Sequence, residues 1–221
     1  MMEVNDTIRE IKKQFRLFMN GIVSQSMREK GLDYKVNFGI ELPRLKEIAS
    51  KFEKNHDVAQ ALWKENIREC KIVAGLLQPV DTFYPDIADI WVEDMRYPEI
   101  AELTVMNLFQ HLPYASGKAF EWIAREEPYF QFCGYMLVAR LLMKYGELNE
   151  RAENELLDQV VPALSGESGF VLRAASTALR KYASQSKENA RKVRGVLMSL
   201  PSSERPEVLS LLEETKILTE S

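Results

Sequence analysis

Apolar residues recur every three or four positions along almost the whole chain, which is the period of an amphipathic helix. In the first segment Ile8, Ile11, Phe15, Phe18 and Ile22 fall on one stripe, with Asn5 placed to cap it. The period lapses over residues 25–42, QSMREKGLDYKVNFGIEL, which are expected to form a loop. A short helix after Pro43 turns Leu45, Ile48, Ala49 and Phe52 inward. Asp57 is the expected cap of one long helix over 58–78, with Pro79 beyond its end. Further helices are expected at about 84–95, 98–111, 115–125, 128–145, 149–163, 168–185, 187–199 and 203–217. The stops between them are regular: Pro98, Pro113, Pro128, Gly146, Ser165-Gly166 and Pro201. No alternating strand pattern persists.

Helices of this length with short connections predict an all-α fold. The expected form is a HEAT-like helical-repeat array of antiparallel helix pairs, an α-α superhelix with a concave face, as a single domain over residues 1–221. The helix pair recurs about every 35–45 residues, near the spacing of HEAT-like repeats. A compact helical bundle is the competing arrangement.

Composition narrows the chemistry. Of the 221 residues, 46% are hydrophobic and 28% charged, enough for a substantial core. Cys70 and Cys133 are too few and too far apart for a disulfide framework or a zinc site, and a reducing, cytoplasmic setting is expected. The opening MMEVNDTIREIKKQ is polar and charged, unlike a secretory signal. No apolar run approaches the roughly 18 residues of a membrane span. His56 and His111 sit in no metal-binding pattern, and no phosphate-cradling glycine motif occurs, so no metal and no cofactor are expected. The formal net charge of −4 weighs against nucleic acid as a partner unless the charge is unevenly distributed.

It is uneven. Residues 173–194, RAASTALRKYASQSKENARKVR, hold seven basic residues and one acid, Glu188. That segment carries +6 and the remainder of the chain −10. On a helix Arg173, Thr177, Arg180 and Ser184 share a face opposite Leu172, Ala175, Leu179 and Tyr182. A basic face with small hydroxyls can track a phosphate backbone; a merely solvated helix face is the other reading.

Two stretches, YKVNFGIELPRLKEIA at 34–49 and ALWKENIRECKIVAGLL at 61–77, resemble the DNA alkylation repair family of HEAT-like-repeat glycosylases. The matching residues are Phe38, Gly39, Ile40, Pro43, Leu45, Ala61, Leu62, Trp63, Glu69 and Ala74, and ALRKYA at 178–183 resembles a later helix of that family. Read physically, Phe38, Leu45 and Trp63 are core, Gly39 is a permissive backbone position, and Glu69 is a buried partner to an arginine or to helix ends. The resemblance implies excision of cationic alkylated purines from double-stranded DNA held on a concave basic surface. Two tryptophans and an aspartate of that family approach the lesion's deoxyribose, where aromatic faces and a carboxylate stabilise the developing cation.

Those positions depart from the pattern here. One tryptophan falls at Pro98, beside Tyr97, and the aspartate at Glu102. The longer side chain shifts its carboxylate by about 1.5 Å, and a misplacement near 1 Å can cost on the order of 100-fold in rate. The second tryptophan falls at Thr177, next to the retained Arg180, and an expected arginine falls near Cys133 and Gly134. Glu99 and Glu102 also fit a structural role, as acids in the first turn of a helix opened by Pro98. The expected site is therefore Glu102 with Tyr97 at the lesion sugar, and Arg173, Thr177, Arg180 and Lys181 on DNA, in a monomer. The alternative is a non-catalytic helical-repeat scaffold for a protein or peptide partner, to which the aromatics of YFQFCGY at 129–135 would contribute exposed surface.

Overall fold

The computed structural model describes residues 3–201 and 205–220. Among these the chain is helical, and the one isolated backbone bridge is parallel, between Val36 and Ile67. The all-α expectation holds. Its contacts divide the chain into two compact units, Met1–Leu112 and Pro113–Ser221.

In the first unit α1 spans Val4–Leu17 and α2 Gly21–Glu29. Asn5 lies inside the first turn of α1 and caps nothing; the cap position belongs to Glu3. Asn20 ends the expected stripe early, because its side chain accepts from the Val23 amide and opens a second helix. Ile11 and Phe15 are buried as expected, whereas Ile22 is 84% exposed. The loop is thereby shortened to residues 30–41, followed by α3 at Leu42–Ala49.

The single helix expected over 58–78 is two: α4 at His56–Trp63 and α5 at Arg68–Leu77. Asn55, not Asp57, caps α4 by accepting from the Val58 amide. The break is stabilised by the preceding loop, since Val36 N–H donates to Asn66 O and Arg68 N–H donates to Val36 O. These bonds satisfy backbone groups that a continuous helix would have paired internally. Then come α6 at Pro85–Glu93 and α7 at Pro98–Asn107, both with proline in the first turn, and a 3-10 turn at Phe109–His111. Trp63 and Trp91 stack at 4.0 Å with rings 4° apart, and Phe83 meets Trp91 edge-on.

The second unit holds α8 at Ala115–Ile123, α9 at Pro128–Tyr145, α10 at Glu150–Ser165, α11 at Gly169–Ala183, α12 at Lys187–Ser199 and α13 at Pro206–Glu220. The helix expected at 203–217 begins on residues outside the described set. Gly146 stops α9 with φ +86, as its position in the sequence predicts. Gly134 lets α9 lie against α8, since a β-carbon there would stand 2.7 Å from Ala119 O and 2.8 Å from Ile123 N. The aromatics of YFQFCGY are not an exposed surface: Phe130, Phe132 and Tyr135 are buried, and Tyr129 is half-buried against Phe170. Their helix has apolar neighbours on more than one side, so the apolar run reflects burial.

Candidate nucleic-acid interface

The Phe38-Gly39 stretch is anchored by a buried ionic cluster. Glu69, fully buried, accepts from the amides of Phe38 (3.1 Å) and Ile40 (3.3 Å) and from Arg68 Nη1 (3.0 Å). Arg68 also donates to Ile40 O and grips Glu99 with two parallel bonds, Nε to Oε2 at 2.9 Å and Nη2 to Oε1 at 2.6 Å. Burial works against the guanidinium charge, but the bonds and charges of Glu99 and Glu69 outweigh it and hold the Arg68 pKa above its usual value. Of the two roles that the sequence allows Glu69, partner to an arginine or to helix ends, it takes the first, and Glu99 is a structural acid.

Gly39, at φ +67, is the close-approach point of this stretch. A β-carbon there would lie 2.4 Å from Asn20 O and 2.6 Å from Ser24 N. The α1–α2 turn is seated on it, with Asn20 N–H donating to Phe38 O at 2.8 Å and Ser24 Oγ donating to Asn37 O at 2.7 Å.

The two residues expected at the lesion sugar lie five positions apart in different surroundings. Tyr97 precedes α7; its ring centroid is 4.5 Å from that of Tyr34, and its hydroxyl accepts from the Asp33 amide at 2.8 Å. It lines a pocket of about 420 Å³ with Tyr34, Trp63, Trp91, Ile90 and Ile100, rimmed by Lys64, Lys71, Asp94 and Arg96. Glu102 is outside that lining, exposed, with no hydrogen bond, ion pair or aromatic contact among the described residues. No aromatic face stands beside it in the way the resemblance implies for the catalytic carboxylate. Cys133 and Gly134, where a basic contact was expected, are interior, and burial pushes the Cys133 thiol pKa well up.

The basic segment spans α11 and α12. Leu172, Ala175, Leu179 and Tyr182 are buried, and Arg173 and Ser184 are exposed, so the predicted facing of α11 holds. Three of the seven cations are engaged. Arg180 Nε pairs with Glu214 at 2.6 Å, and this bond holds the Glu214 carboxyl below its usual pKa. Lys192 pairs with Glu153 and Glu188, and Arg194 donates to Leu212 O. Arg173, Lys181, Lys187 and Arg191 have no partner among the described residues. Thr177 is half-buried, its hydroxyl donating to Arg173 O at 2.8 Å.

A second basic segment escaped the reading of the sequence. Residues 9–54 contain eleven basic residues against six acids. The signal was there as a local tally, but it is interleaved with acids and crosses three helices and a loop. Among the described residues no group of three potential metal ligands occurs, and no helix is long and apolar enough to cross a membrane.

These features define an all-helical protein with cationic surface unevenly distributed over an acidic chain. The sequence matches the family model of the DNA alkylation repair enzymes over residues 9–198, and the chain belongs to that family. A solved structure, described as a new family of proteins related to the HEAT-like repeat DNA glycosylases with affinity for branched DNA structures, is similar to it. The TM-score is 0.80 over 96% of each chain, at 15% identity, a likeness that establishes the HEAT-like repeat fold. None of the curated proteins matches this sequence.

Proposed function

We propose that this protein binds double-stranded DNA, with preference for branched forms, and does not excise alkylated bases. The observation that carries the reading is the set of partner-free cations on α11 and α12, Arg173, Lys181, Lys187 and Arg191. Arg180 joins them through the Nη donors that Glu214 leaves unused, and Thr177 lies on the same face of α11. The neighbour's affinity for branched DNA supports the choice of substrate form. Against excision stand Pro98 and Thr177 at the two tryptophan positions and the isolation of Glu102.

Changing Arg173, Lys181, Lys187 and Arg191 together to alanine should weaken DNA binding about 100-fold and flatten the slope of log K against log salt by about 3–4 units. Titrations at several salt concentrations read both quantities. An unchanged slope would place the DNA elsewhere; binding of a protein partner, insensitive to salt, would favour a scaffold.

Release of 7-methylguanine and 3-methyladenine from methylated DNA should not exceed the spontaneous rate, and Glu102→Gln should leave DNA affinity unchanged. Release by the wild type that disappears in Glu102→Gln would restore the catalytic role of that carboxylate.

A further inference from the structure

The α1–α2 turn exposes three aliphatic side chains within six residues: Leu17 at 70%, Met19 at 60% and Ile22 at 84%. Water-exposed apolar groups gathered on one turn are costly and ask for a partner. The fourth apolar residue of the turn, Phe18, is half-buried beneath cations, with the Arg44 guanidinium 4.5 Å and the Lys51 ammonium 6.0 Å from its ring centroid. Arg16, exposed, adjoins Leu17 and has no partner among the described residues. Arg44 also pairs with Glu47 and Lys51 donates to Gln14 Oε1, so the turn presents apolar tips beside one unpaired cation, Arg16, and two that keep further donors.

We propose that this turn is a wedge that covers the unstacked base-pair face at a DNA branch point while Arg16, Arg44 and Lys51 hold the phosphates beside it. The proposal rests on the DNA-binding reading above and assigns the structure preference to a second surface, on the Met1–Leu112 unit. An intact duplex offers no such apolar face, because each base pair is covered by its neighbours. A branch leaves base-pair faces uncovered, and aliphatic side chains are the groups that proteins lay against unstacked bases. The flanking cations complement the phosphates, whose crowding at a branch raises the local negative charge. A lipid surface fits less well. It calls for a continuous apolar helix face, whereas the remaining exposed positions of α2 include Gln25, Arg28 and Glu29.

The seating of the turn makes the wedge rigid enough to act. Asn20 and Ser24 are bonded to Phe38 O and Asn37 O, and the approach at Gly39 leaves no room for a side chain. A preformed tip loses little conformational entropy on meeting the branch.

The test compares wild type with Leu17→Ser/Met19→Ser/Ile22→Ser on a three-way junction carrying 2-aminopurine at the branch, and on linear duplex of equal length. All three residues are exposed, so the variant should fold, as circular dichroism will verify. Junction affinity should fall about tenfold, the size expected for losing one or two base-stacking contacts. Duplex affinity should stay the same, and the 2-aminopurine response should vanish. Retention of the wild-type junction preference would overturn the wedge and leave DNA binding intact. Wild type that binds neither DNA would remove the DNA reading itself. Loss of binding to phosphatidylglycerol vesicles, with junction preference kept, would overturn the wedge in favour of a lipid surface.

Discussion

Arg68→Met is expected to destabilise the Met1–Leu112 unit by about 3–5 kcal/mol, the usual cost of removing one member of a buried ionic cluster. The loss is large because of what remains. Glu69 is fully buried and would keep its two amide donors but lose the cation bonded to it. Ile40 O would lose a bond, and Glu99 both of its bonds to the guanidinium. Methionine fills much of the volume, so the effect reports the charge rather than a cavity. Glu99→Ala should cost less, about 1 kcal/mol, because its side chain is 34% exposed and water screens the pair. Urea unfolding followed by near-ultraviolet circular dichroism of the stacked Trp63–Trp91 pair isolates this unit. A loss below that of Glu99→Ala would show the cluster to be dispensable.

Gly39→Ala is expected to cost about 3 kcal/mol, from a left-handed backbone that alanine disfavours together with overpacking. The contact is with backbone atoms, Asn20 O and Ser24 N, which have no flexible end to move aside. The α1–α2 turn must then lift from the Phe38-Gly39 stretch. Amide exchange should therefore quicken first at Asn20, whose N–H donates to Phe38 O, and the junction preference should weaken beyond the change in duplex binding. An alanine variant as stable as wild type would mean that the turn repacks freely.

The two substitutions lie in the two stretches that carried the family resemblance, 34–49 and 61–77, and neither touches DNA in the proposed arrangement. The first stretch is read most simply as the anchor of a turn. That separates two kinds of residue often treated alike, those that mark a family and those that meet its substrate. Phe38, Gly39 and Glu69 belong to the first kind here, since Glu69 accepts from the Phe38 amide and holds the stretch in place.

Helix period, proline and glycine stops, and the facing of α11 were legible in the residues because each depends on local spacing. The bounds expected for α9 and α12 match for that reason. The split between α4 and α5 was not, since nothing in residues 58–78 breaks the apolar period; the loop strand at Val36 competes for the backbone bonds from outside. Nor could spacing show that Ile22 leaves its stripe, because Asn20 fits a helix interior and a helix cap alike until the chain turns. Glu99 and Glu102 looked equivalent, three residues apart after Pro98. Only the arrival of Arg68 from another helix makes one a buried partner and leaves the other in water. The sequence by itself determined the helical class and most helix bounds, the family and the existence of a basic segment, all set by short-range pattern. Which cations stay free, which acid is structural and which apolar residues remain uncovered were decided by tertiary packing, because each depends on a partner distant in the chain.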